Sequence, residues 1–146
     1  MSKRRLVLVV FVLLSTLTVI AYADQPNMQA ARTNLQQARA QLQAATHNKG
    51  GHRTSAIQHV NNAIAFVNQG IAFDRRHNHA ASTAEVFPTS VATPDQPHMQ
   101  SALELLRSAR SNLENATSDK GGYRKKAIDE VNKAIDETKK GIDAGD

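Results

Sequence analysis

The chain carries one sequence pattern twice. Asp-Gln-Pro occurs at residues 24–26 and again at 95–97, and Lys-Gly-Gly occurs at 49–51 and again at 120–122. The two copies match without a gap at a constant spacing of 71 residues. Repetition at a fixed period indicates two copies of one structural unit. Whatever fold one copy adopts, the other is therefore expected to adopt as well.

Residues 1–23 have the features of a secretory signal peptide. A basic start at 3–5 is followed by an uncharged, mostly apolar run at 6–21, and Ala-Tyr-Ala at 21–23 matches a cleavage motif. The alternative is an uncleaved membrane anchor, but the apolar run is shorter than the roughly 20 residues that span a bilayer. We therefore expect cleavage after Ala23, and a periplasmic or secreted bacterial protein with no membrane attachment.

Composition excludes several classes of function. The chain has no cysteine, which excludes disulfides and thiolate metal sites. Its net charge is +5, but the signal peptide holds three basic and no acidic residues, so the mature chain 24–146 carries only +2. Because this charge is small and export is expected, we predict no binding to nucleic acid.

Apolar residues step by three and four through each copy, the spacing of helices that pack along a narrow seam. Alanine fills every second seam position of the first helix of each copy, which would let a partner helix approach closely. Proline in the first turn and the Gly-Gly pairs supply start and stop signals. The predicted seams are Met28, Ala31, Leu35, Ala38, Leu42 and Ala45, then Ile57, Val60, Ile64, Val67 and Ile71, and their counterparts 71 residues later. The predicted helices lie near 26–47, 53–73, 97–118 and 124–143.

These signals predict an all-α fold of two tandem antiparallel αα-hairpins, at 24–75 and 95–146, joined by a linker at 76–94. A lone hairpin buries too little apolar surface to be stable, so we expect the two hairpins to pack as a four-helix bundle.

The two copies differ in charge. Residues 24–76 hold six basic and two acidic residues, whereas residues 95–146 hold nine basic and ten acidic residues. Opposite charge favours docking of the hairpins on each other, within one molecule or between molecules. Self-association and an unknown protein partner are both predicted as possible.

The Gly-Gly turn has two interpretations. Backbone N–H groups at a helix start, beside basic side chains, could hold an anion such as phosphate. The same glycines are also what a helix C-cap and a tight turn require, and the sequence favours this structural interpretation. The candidate residues are Lys49, Gly50, Gly51, Arg53, Lys120, Gly121, Gly122 and Arg124.

Histidines are the candidate metal ligands, because imidazole is a common ligand for Zn, Cu and Ni. His52 and His59 share a helix face but stand about 10 Å apart at ~1.5 Å per residue, too far to share one ion. His77 and His79 alternate in the linker and could converge. The second copy has no histidine at the positions matching 47, 52 and 59. The candidate ligands are His47, His52, His59, His77 and His79, for Cu, Zn or Ni.

A stripe beside the seam of the second helix consists of His52, His59, Phe66 and Phe73, one every seven residues. We expect it to be buried against the second hairpin, near Leu103 and Leu105, because exposed phenylalanines are a liability in a soluble protein. The alternative is a docking surface for a partner.

The Asp-Gln-Pro start, the Lys-Gly-Gly-His/Tyr-Arg turn and the following Ala-Ile-x-x-Val-x-x-Ala-Ile pattern resemble a group of small exported bacterial helical proteins of unknown function. The resemblance covers nearly all of 24–74 and 95–143, and it implies fold and export. A weaker similarity is to the small metal-binding protein of nitrifying bacteria, a periplasmic helical-hairpin repeat rich in histidine.

No nucleophile–base pair or phosphate-binding loop is present in the sequence, so we predict a protein that is not an enzyme. The expected role is binding or structural. The alternative is a periplasmic metal-binding or metal-buffering protein that uses histidines of the first copy and the linker.

Overall fold

The protein is an all-α four-helix bundle. The structure, a computed structural model, describes residues 24–45, 49–78, 95–116 and 120–144. Its helices are α1 (Asp24–Ala44), α2 (His52–Asn78), α3 (Asp95–Asn115) and α4 (Tyr123–Asp143). Short 3₁₀ turns at Lys49–Gly51 and Lys120–Gly122 join the helices of each hairpin. The predicted fold class and both hairpins are confirmed.

Helix boundaries differ from the predicted ones mainly at the end of α2. This helix continues to Asn78, five residues beyond the predicted end at 73 and into the predicted linker. No proline ends the helix at residue 73, because the first proline after that position is Pro88. The signal peptide 1–23 and the stretch 79–94 lie outside the described residues.

All four pairs of neighbouring helices run antiparallel. Asn27 near the start of α1 donates to the carbonyl of Asn115 at the end of α3. At the other end His98 meets Gln41, so α1 and α3 are antiparallel although they belong to different hairpins. Helices α2 and α4 pair in the same way. Among the described residues the diagonal pairs α1–α4 and α2–α3 make no contact.

Contact between the two hairpins is more extensive than contact within either one. The pairs α2–α4 and α1–α3 lie closer along their length than the hairpin pairs α1–α2 and α3–α4. Small residues explain this, since alanine at every seventh position lets two backbones approach. The fully buried alanines are Ala31, Ala38, Ala45, Ala56 and Ala63, with Ala102, Ala109, Ala116, Ala127 and Ala134 in the second copy.

The buried seam of α2 differs from the predicted one. Ala56 and Ala63 are fully buried, whereas the larger neighbours Ile57 and Ile64 are only partly buried at the edge of the core. The reason is that α2 packs against two helices, and its closest contact, with α4, selects the small side chains. Within the described ranges no helix has both the length and the apolarity that a membrane crossing requires.

Candidate functional site

Both Gly-Gly turns have the same backbone geometry. Gly50 and Gly121 have φ angles of 64° and 65°, and Gly51 and Gly122 have 89° and 81°. Residues with a Cβ adopt this left-handed region only at a cost. The glycines are therefore explained by the turn itself.

The arginines of the two turns do the same structural work in each copy. Arg53 Nη1 donates to the carbonyl of Leu42 at 3.2 Å, and Arg124 Nη1 donates to the carbonyl of Leu113, also at 3.2 Å. These carbonyls belong to the last turn of α1 and α3, where the regular helix pattern leaves carbonyl groups without donors. The carbonyl of Leu113 also accepts from the backbone N–H of Ala116 at 3.3 Å. The contacts support the interpretation as a helix-capping turn.

Anion binding at the turns stays a prediction. The buried Nε of Arg53 and that of Arg124 have no hydrogen-bond acceptor among the described residues, so one donor per turn could meet a water molecule or a small anion. The side chains of Lys49 and Lys120 lie outside the described part of the chain.

A polar cluster lies at the centre of the α2–α4 interface. His59 Nδ1 lies 2.8 Å from Glu130 Oε2, which also accepts a hydrogen bond from Asn62 at 3.1 Å. Lys133 Nζ donates to the other carboxylate oxygen at 2.7 Å. Burial raises the pKa of Glu130, but hydrogen bonds from Lys133, His59 and Asn62 outweigh it and lower that pKa to about 2. Because the carboxylate is ionised, His59 Nδ1 carries the proton and donates it.

A second cluster of the same kind lies two helical turns away, towards the first Gly-Gly turn. His52 Nδ1 lies 2.8 Å from Glu137 Oε2, and Lys140 Nζ donates to Glu137 Oε1 at 2.8 Å. Hydrogen bonds from Lys140 and His52 hold the pKa of Glu137 below its usual value. In each cluster a histidine–glutamate hydrogen bond joins hairpin 1 to hairpin 2.

The structure pairs His52 and His59 each with a glutamate and does not bring them together. His47 and His79 lie outside the described residues, as does the side chain of His77. In the described part of the chain no group of three potential ligands could hold a metal ion. A histidine whose Nδ1 donates to a carboxylate can still bind a metal through Nε2. Each cluster therefore offers at most a single imidazole nitrogen, oriented by its glutamate.

Aromatic rings gather at the opposite end of the same interface, beside the second Gly-Gly turn. Lys126 Nζ lies 5.8 Å from the ring centre of Phe66 and 5.6 Å from that of Tyr123. Phe73 meets Tyr123 edge to face at 6.5 Å, and a Cβ at Gly121 would lie only 3.0 Å from the Phe73 ring. All three rings are half-buried. We call Phe66, Phe73, Tyr123 and Lys126 the aromatic end.

The stripe of α2 thus lies against the second hairpin, as expected, but in a different place. It faces α4, whereas the predicted neighbours Leu103 and Leu105 lie on α3, which α2 does not contact within the described residues. The sequence predicts which residues line the stripe, but not which helix of the other hairpin covers it.

The repeat provides an internal comparison for the aromatic end. Positions 66, 73, 123 and 126 correspond to Glu137, Ala144, His52 and Ser55 at the opposite end of the interface. The same backbone position is therefore filled by an ionic cluster at one end and by aromatic rings at the other. Since the fold tolerates both, the aromatic residues are not required by the helix packing itself.

Glu130 and Glu137 were missed as site residues by sequence reasoning, and a signal for them exists. They are seven residues apart on α4, just as His52 and His59 are on α2. In an antiparallel pair two such heptad rows can meet in register. Comparisons with models of protein families, with curated proteins and with solved structures find no match for this chain.

Proposed function

We propose that this is an exported protein without enzymatic activity, whose four-helix bundle has a binding or structural role. The proposal is supported by the contacts of the histidine and arginine side chains, which are structural. The described histidines at 52 and 59 contact glutamates of the other hairpin, and the turn arginines cap helices. Groups of the kind that enzymes use for proton transfer thus serve to hold helices together.

The aromatic end is the surface that we assign to partner binding. Arg75, Arg76 and Lys125 are exposed near it, in addition to Lys126. Aromatic rings beside basic side chains are typical of contact residues, and the positive charge favours an acidic partner. A photo-crosslinking residue in place of Lys126 is expected to capture a partner in the exporting cells. The matched control places the photo-crosslinking residue at Ser55, the position in the first copy that corresponds to Lys126. Capture of the same partner from Ser55 would contradict the assignment.

The alternative, a metal-binding or metal-buffering protein, is separated from the proposal by calorimetric titration. The mature chain 24–146 is titrated with Cu(II), Zn(II) and Ni(II) at neutral pH. The proposal predicts weak heats without a defined stoichiometry. Micromolar or tighter binding at a fixed stoichiometry, lost in His47→Ala/His52→Ala or in His77→Ala/His79→Ala, would replace it with the metal-binding function.

A further inference from the structure

A pseudo-twofold axis relates the two hairpins and passes between His59 and Glu130. These two residues are 71 apart and therefore occupy the same position in the two copies. Equivalent residues contact each other only at a twofold axis, as in a symmetric dimer. The hairpins are thus arranged as two subunits would be, although one chain carries both.

The surfaces that meet at this axis are complementary and not self-complementary. Two copies of hairpin 2 in the same arrangement would bring Glu130 against Glu130, and like charges in direct contact repel. Two copies of hairpin 1 would bring His59 against His59 and His52 against Phe66. Only the mixed pair forms both His–Glu contacts and also places Lys126 over the rings of both Phe66 and Tyr123.

Net charge gives the same preference. Residues 24–76 carry +4 and residues 95–146 carry −1, so a pair of first hairpins accumulates positive charge that the mixed pair offsets. The inter-hairpin contact is also the more extensive one in the bundle. Each hairpin therefore presents a surface that fits the other hairpin.

The chain between the hairpins has to reach from one end of the bundle to the other. Helix α2 ends beside the start of α4, where Phe73 meets Tyr123, whereas α3 begins beside the end of α1, where His98 meets Gln41. The 27 residues of α2 span roughly 40 Å at ~1.5 Å each. The 16 residues from 79 to 94 reach at most roughly 55 Å when extended. Pairing within one chain is therefore feasible, with limited slack.

We propose that the inter-hairpin surface is a self-recognition surface, through which hairpin 1 of one copy docks on hairpin 2 of a second copy. Two chains that exchange hairpins in this way close into a dimer containing two complete bundles, and every contact described above is formed again between chains. The partner is a second copy of this chain, and the inference depends on the register of α2 against α4 and not on partner binding at the aromatic end.

The first test shortens the connection. Deleting residues 80–91 of the mature chain leaves four residues, which reach roughly 14 Å and cannot span the bundle. The variant is expected to be a helical dimer by light scattering, whereas a helical, natively packed monomer would overturn the proposal. Adding His59→Glu places two glutamates at the axis and is expected to weaken the dimer about tenfold or more. The exchange His59→Glu/Glu130→His restores the pair and is expected to restore the dimer.

The second test uses the unaltered mature chain, and it decides the matter if the shortened chain does not fold. Isotopically labelled and unlabelled chains are incubated together at high concentration and examined by native mass spectrometry. Mixed dimers are expected, and their share is expected to rise with concentration. A chain that stays monomeric at every concentration contradicts the proposal, whatever partner the aromatic end binds.

Discussion

His59 and Glu130 occupy the same position in the two copies of the repeat and contact each other at 2.8 Å. One copy supplies the base and the other the acid of a single pair on the pseudo-twofold axis. The two copies therefore differ in sequence at their point of contact, and the two side chains complement each other. At this one position the first hairpin has a histidine and the second has a glutamate.

The Glu130 carboxylate should make the stability of the bundle depend on acid. Its pKa is about 2 in the folded protein and near 4.5 when unfolded, so its contribution is complete above 4.5 and is lost as the pH falls towards 2. We expect Glu130→Gln to lower the free energy of unfolding by about 1–3 kcal/mol at pH 7, allowing for partial solvent screening. At pH 2 the loss should largely disappear, as measured by urea unfolding.

Asp129→Asn is the matched control for this prediction, because Asp129 is exposed and neighbours Glu130 in sequence. Its unfolding curves should follow those of the parent within about 0.5 kcal/mol at both pH values. An equal effect of the two substitutions would mean that net charge, and not the contact with His59, sets the pH dependence.

The two Gly-Gly turns allow a steric effect to be separated from a backbone effect. Gly50→Ala and Gly121→Ala impose the same penalty for a positive φ, about 1–2 kcal/mol. Gly121→Ala also brings its Cβ to 3.0 Å from the Phe73 ring, whereas the nearest atom at Gly50 is 3.5 Å away. We expect Gly121→Ala to be the more destabilising in thermal unfolding. With Phe73→Leu in the background the two penalties should become similar.

Arg53 and Arg124 should contribute equally to stability. Each donates to a carbonyl at the end of the preceding helix, so its removal takes one hydrogen bond away from that carbonyl. We expect Arg53→Ala and Arg124→Ala each to lower the unfolding free energy by about 1–2 kcal/mol in urea titrations. Arg39→Ala, which removes an exposed contact with Asn61, should cost less. A large difference between the two turn arginines would show that the turns are not equivalent.

The close contact of α2 with α4 should tolerate no larger side chain at Ala63. This residue lies one turn from both His59 and Phe66 and is fully buried. Ala63→Leu is expected to lower the unfolding free energy by about 1–3 kcal/mol, because a packed interface has no room for three more carbons. Ala65→Leu, two residues along on the exposed side, should change it by less than about 0.5 kcal/mol.

Much of the architecture can be predicted from the sequence because its signals are local. Heptad spacing and the Gly-Gly turns specify helices and hairpins through contacts between residues close in the chain. The predicted end of α2 at residue 73 was wrong, because no local signal marks the end of this helix at Asn78. The predicted seam of α2 was wrong in placing Ile57 and Ile64 at its centre, where Ala56 and Ala63 lie. A helix between two partner helices buries two faces, and hydrophobicity alone does not say which partner helix packs closer.

The sequence by itself determined the repeat, the all-α class, both hairpins and the turns, since each depends on spacing or backbone conformation within one copy. Only the tertiary structure decided that α2 packs on α4, that His52 and His59 meet glutamates, and that the aromatic rings gather at one end. The physical reason is that these contacts join residues 50 to 85 positions apart. Their register depends on how two hairpins fit together, which no local pattern encodes.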